Sequence, residues 1–214
     1  MKTQQSIAYN EVAVIDKKFC LPRSIDLTIS KNIWQIGHAN FVVTKSNREI
    51  IFKIQGAIFS FNTTRVIYDA AGVPIVTLRK KTLSILTTWQ VFRGEGKDQK
   101  DLIFSARKSS FFQLKTKLSV FVADQNSECE DVCDYTVQAD WFQRFCQVYV
   151  GDSSYVKLAQ VEKNSSVGSL ITGGDRYKVK VYPNVDCAFI VSLIVILDEI
   201  VSSAKRSYNN KRRH

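Results

Sequence analysis

Histidines, cysteines and paired carboxylates are the residues whose spacing would announce catalysis or metal binding, and this chain places few of them usefully. Only two histidines occur, His38 and the terminal His214. A zinc site of the usual Cys/His spacing cannot be assembled from them. The nearest thiol pair, Cys129-x-x-x-Cys133, sits in an acidic stretch around Glu128 to Asp131 and has no second pair to complete four ligands. His38 has no nucleophile motif beside it, so neither a Ser-His-Asp nor a Cys-His arrangement is indicated. Gly94-Glu95-Gly96 lacks a third glycine and joins two predicted strands, which is not the geometry of a phosphate loop. Asp198-Glu199 is the one adjacent acid pair that could pass for a general acid and base, but it closes an apolar helical stretch, and such a position points to a structural role. No catalytic residue, metal ligand or cofactor is predicted, and the chain is not expected to be an enzyme.

What remains is positive charge. The formal net charge is +10, and Lys205, Arg206, Lys211, Arg212 and Arg213 near the C-terminus carry half of it. Further clusters are Arg79-Lys80-Lys81, Arg107-Lys108, Lys115 with Lys117, and the row Arg176, Lys178, Lys180. Rows of this kind on a closed surface can combine into a site for a multiply charged anion. Arg79, Lys80, Lys81, Arg176, Lys178 and Lys180 are the candidate ligand-binding residues, with anionic phospholipid head groups as the candidate ligand. Outward aromatics of the kind that stack bases are not evident beside them, which argues against nucleic acid.

The elements that would hold these residues read as an all-β chain. Short runs rich in Val, Ile, Phe and Thr alternate with turn signals from residue 11 to residue 182. Ile25, Leu27 and Ile29 alternate with Asp26, Thr28 and Ser30; Ile50, Phe52 and Ile54 share one face. Hairpins are predicted at Ser46-Asn47, at Ala70-Ala71-Gly72 and across the polar loop Gly94 to Lys100. Strands are expected over 117–123, 132–138, 146–150 and 155–162, and a last one over Arg176 to Tyr182 puts Tyr177, Val179 and Val181 opposite the three cations. No repeat and no domain linker appears.

Cys187 to Leu197 decides the architecture, being apolar at every position except Ser192. Asn184 or Asp186 can cap a helix there, and an acid suits the positive end of its dipole. A helix without a polar face must be surrounded. Eleven residues span only ~17 Å against the ~30 Å of a bilayer's hydrocarbon, so protein is the expected surrounding and no transmembrane segment is predicted. A barrel of about a dozen strands leaves room for a helix ~10 Å across. The expected fold is therefore mainly β: an antiparallel closed β-barrel of about twelve strands enclosing an apolar C-terminal helix.

The expected organisation is a flexible N-terminus over 1–9, a barrel domain over 10–203 with its central helix at about 186–201, and a basic tail over 204–214. The N-terminus has no apolar signal region, and five cysteines without framework spacing fit reduced thiols. A monomer in the cytosol or nucleus is expected, peripheral at a membrane if the cations meet lipid.

Several motifs resemble the LURP-one-related proteins of plants. They are Val14-Ile15-Asp16 with Phe19-Cys20-x-Pro22, Asn40 to Thr44, Arg65 to Lys81, Trp89 to Gly94, Gln113 to Val122, Cys146 to Tyr149, and Val181 to Ile200. Cys187 departs from the aromatic expected there, and the basic tail lies outside the family core. The resemblance implies a twelve-stranded barrel around a C-terminal helix, as in Tubby C-terminal domains and phospholipid scramblases. It further implies a link to plant defence and, through the Tubby relatives, phosphoinositide binding, though no residue of theirs transfers individually. An aspartate-rich calcium segment of the scramblase kind is missing. Two rival expectations stand beside lipid binding: a protein-interaction scaffold in defence signalling, and nucleic-acid binding through the basic tail.

Overall fold

The structure, a computed structural model, describes residues 11–32, 40–56, 64–82, 84, 86–109, 115–123, 132–140, 145–152, 155–164 and 176–212. The expectations about 1–9, His38, Cys129 and the acidic stretch 128–131 lie outside these residues.

Twelve strands close into one antiparallel barrel. They are β1 (Ile25–Asn32), β2 (Asn40–Lys45), β3 (Ile50–Gly56), β4 (Thr64–Asp69), β5 (Pro74–Lys80), β6 (Thr88–Arg93), β7 (Leu102–Lys108), β8 (Lys115–Val122), β9 (Tyr135–Asp140), β10 (Phe145–Val150), β11 (Lys157–Asn164) and β12 (Arg176–Val181). Each strand pairs with its sequence neighbours, and β1 pairs with β12 to close the ring, Leu27 opposite Val179. Closure leaves no sheet edge to be covered. Period-two alternation supplies the interior: Leu27 and Ile29, Phe41 and Val43, Phe52 and Ile54, Val76 and Leu78, Leu118 and Val120 all turn inward and are buried. Two strands start later than expected: β9 at Tyr135 and β11 at Lys157. The residues assigned ahead of them are turns, with Val132 and Tyr155 in water at 76% and 93% exposure.

The axis is filled by α1 (Cys187–Lys211). From Cys187 to Ile200 every side chain is buried, Phe189 at 0% and Ile194 at 3% exposure. Asp186 caps the helix: its Oδ1 accepts from the Phe189 amide at 3.0 Å, while Oδ2 accepts from the Ile15 and Asp16 amides at 2.7 and 3.1 Å. The last two bonds tie the N-terminal segment Glu11 to Pro22 across this end of the barrel. Bridges from Val12 to Val185 and from Cys20 to Asp186 seat it further.

The helix does not stop near residue 201; it continues through the expected tail to Lys211. No glycine or proline occurs between Cys187 and Arg212 to end it, and basic side chains suit the negative end of its dipole. At 25 residues the helix is ~37 Å long, so its length alone would have allowed a bilayer crossing. Burial inside the barrel, rather than shortness, is what satisfies its apolar surface. Beyond Ile200 it leaves the barrel mouth, with Ala204, Arg206, Asn210 and Arg212 exposed.

Candidate anion-binding site

The N-terminal segment crosses one end of the barrel at the helix start, and the helix exits through the opposite end, its mouth. Two acids on the helix meet the mouth from inside. Asp198 accepts from Lys31 Nζ at 3.1 Å and from the Tyr177 hydroxyl at 2.5 Å. Glu199 Oε1 accepts from Arg65 Nε and Nη2 at 2.9 and 2.5 Å. Both carboxylates are about 3% exposed. Lys31 and Arg65 take the inward parity of their strands, in step with Ile29 on β1 and Ile67 on β4. The acid pair is thus occupied by cations and a phenol, which is an anchoring arrangement rather than a catalytic one.

The thiols are equally removed from chemistry. Among the described residues Cys20, Cys133, Cys146 and Cys187 are unbridged. Burial pushes Cys20 up to about 11, and Cys146 and Cys187 up to about 12. A thiol so placed stays protonated at neutral pH and is a poor nucleophile. Among the described residues no three His, Cys, Asp or Glu side chains gather as metal ligands.

The two predicted cation groups stand on different flanks of the barrel, with β4, β3, β2 and β1 between them on the shorter way round. Arg176, Lys178 and Lys180 project outward from β12 and are exposed. Neighbouring strands place acids beside them: Asp26 of β1 is opposite Lys180, and Glu162 of β11 is opposite Lys178. The cleft of about 330 Å³ at this face is lined by both acids along with both lysines. Two acids stand against two lysines in its lining, so it offers no excess of positive charge.

Arg79, Lys80 and Lys81 behave differently. Arg79 and Lys81 take the outward parity and line a cleft of about 210 Å³ on the outer face of β5 and β6; Lys80, of inward parity with Leu78 and opposite Trp89, borders it at the strand's end, and Lys97 joins them from the loop between β6 and β7. Gln90, Gln99 and Thr82 add amide and hydroxyl groups, and among the described residues no acid lines the cleft. No ion pair occupies any of the four cations among the described residues. Four like charges around so small a space repel one another, and a multiply charged anion would relieve that repulsion.

Lys97 and Gln99 reach this place because their loop folds back along the barrel wall. The pairing of β6 with β7 shifts register between Val91 and Phe92, at the loop's base. Phe92 has outward parity yet is only 4% exposed, with the Arg79 guanidinium over its ring at 6.0 Å. Thr77, also outward and buried, donates to the Gly94 carbonyl at 2.7 Å, and the Gly94 amide donates to the Ile75 carbonyl at 2.8 Å. Sequence reasoning found the three contiguous cations and missed Lys97. The signal for it was weak: a polar seven-residue hairpin loop bearing two glycines and two lysines.

A larger cleft of about 390 Å³ lies at the end crossed by the N-terminal segment, walled by apolar side chains including Phe19, Ile50 and Phe52. Its lysines are already answered: Lys45 pairs with Glu49 at 2.8 Å and Lys18 with Asp16 at 3.3 Å. It has no excess charge to offer an anion.

Comparison with known proteins agrees with this architecture. The family model described as LURP-one-related matches residues 25–198. The Arabidopsis thaliana protein LURP-one-related 15 is 43% identical over 187 residues, covering 87% of this chain and 85% of the relative. LURP-one-related 10 of the same plant is 40% identical over 190 residues, covering 88% and 96%. A solved X-ray structure of an Arabidopsis thaliana protein superposes with a TM-score of 0.66 at 37% identity, covering 88% of this chain and 98% of that one. The match takes in all twelve strands and the helix as far as Asp198, and the chain belongs to the LURP-one-related family.

Proposed function

We propose that this protein is a non-enzymatic binding module that docks on anionic phospholipid head groups, phosphoinositides among them, at a membrane surface. The supporting observation is the cleft holding Arg79, Lys80, Lys81 and Lys97, which no acid lines among the described residues. Charge-assisted bonds from several cations to one phosphate-bearing group are the strong kind, and they favour a compact polyanion over a single carboxylate. The row Arg176, Lys178 and Lys180 contributes general attraction only, because Asp26 and Glu162 stand among its members. Binding rather than catalysis is supported by the engagement of Asp198 and Glu199 in anchoring bonds. A peripheral position, reversible and salt-sensitive, follows from attachment by exposed cations. A role in plant defence rests on the family resemblance.

Vesicle co-sedimentation tests this reading. Wild-type protein should sediment with phosphoinositide-containing vesicles well above its recovery with phosphatidylcholine vesicles. The triple variant R79Q/K80Q/K81Q should lose most of that excess, while R176Q/K178Q/K180Q should keep the greater part. Equal wild-type recovery with both vesicle types at low salt would remove the reading.

A further inference from the structure

The loop between β6 and β7 is held in a way that a free surface loop is not. Gly94 takes a left-handed φ of +55°, and the Gly96 amide donates to the Arg93 carbonyl at 2.9 Å. A Cβ at residue 96 would lie 2.8 Å from that carbonyl oxygen and 2.6 Å from the Asp101 Cβ, so glycine is required for the turn. A short 3-10 turn over Gln99–Asp101 returns the chain to β7. Glu95, Asp98 and Asp101 belong to the same loop, but none of them lines the cleft, whereas Lys97 and Gln99 do. The loop therefore presents one cation and one amide to the space in front of β5 and keeps its acids elsewhere.

We infer that Lys97 and Gln99 form the second half of a two-sided anion site, with Arg79, Lys80 and Lys81 on the strand side, and that this site selects a ligand carrying at least two phosphate groups on a small polyol. This rests on the anionic-ligand reading above and specifies the ligand class for the same cleft. Placement and size carry this inference. Cations on both walls can each engage a phosphate, while a ligand with one phosphate leaves one wall unanswered. At about 210 Å³ the cleft is a compact local pocket, suited to a small phosphate-bearing ring rather than to a groove that tracks an extended strand of nucleic acid. Gln90, Gln99 and Thr82 supply neutral donors suited to ring hydroxyls.

Titration calorimetry with soluble inositol bisphosphate and inositol monophosphate tests it on the full chain. Wild type should prefer the bisphosphate. K97Q should weaken the bisphosphate about tenfold, as expected for one lost charge-assisted bond, and leave the monophosphate nearly unchanged. G96A, which displaces the loop without removing a charge, should show the same selective loss while far-UV circular dichroism and thermal midpoint report an intact barrel. Soluble bisphosphate should also displace wild type from phosphoinositide vesicles, which separates head-group recognition from general adsorption. Bisphosphate affinity untouched by K97Q but abolished by R79Q/K80Q/K81Q would overturn the two-sided site and leave the anionic reading standing. Absence of wild-type binding to both solutes and to the vesicles would overturn both.

Discussion

At the residue scale the most consequential groups are those buried with charge. Glu199 and Arg65 are 3% and 15% exposed, and truncating one partner strands the other. Arg65→Ala should lower stability by about 3 kcal/mol in urea unfolding, and the double change R65L/E199L should recover most of it, since an apolar pair needs no compensation. No recovery in the double variant would mean that the pair supplies something beyond mutual charge neutralisation. Asp186 behaves differently because it faces amides rather than a cation. Burial is the largest influence and pushes its carboxyl above the ordinary aspartate range, while bonds from Phe189, Ile15 and Asp16 pull it down. A folded-state value above the unfolded one means that the native state holds the proton longer as pH rises. Stability from this source is complete below the unfolded pKa and declines as pH climbs through the folded one. Urea midpoints across acid pH should therefore show the advantage of wild type over D186N shrinking with rising pH, and a growing advantage would contradict the shift.

At the scale of elements, the buried and the projecting halves of α1 should answer mutation differently. Leu193 is fully buried at the barrel's centre, and Leu193→Ala should cost about 3–5 kcal/mol, the range for a cavity that rigid walls cannot fill. Removing residues 204–214 should cost less than about 0.5 kcal/mol, because Ala204, Arg206, Asn210 and Arg212 stand in water. Chemical unfolding of both variants checks the contrast. The strands were legible because alternation is a local pattern, as in Ile25 to Ser30 or Arg176 to Val181. The helix start was legible from Asp186 and the apolar run. Its end was not, because Asp198-Glu199 reads as an interruption until Lys31 and Arg65 are known to meet them. Those partners lie 167 and 134 residues away in sequence, and nothing local announces them.

Taken whole, the molecule is a ring of hairpins threaded by its own last helix, with most of its interior set by local patterns and its surface site set by neighbours. The contiguous cations Arg79, Lys80 and Lys81 were visible in sequence as three of the four that border the cleft. Lys97 became visible only when its loop folded back over Phe92. The β12 row looked equal to them in sequence, but strands distant in the chain bring Asp26 and Glu162 to its side. Charge rows cannot be ranked from one strand alone. Hydrogen–deuterium exchange of the wild-type protein with and without soluble inositol bisphosphate tests the central claim most directly. The account predicts slowed exchange in residues 79–82, 89–92 and 94–101, with no change over 176–181. Protection centred on 176–181, or none anywhere at saturating ligand, would contradict it.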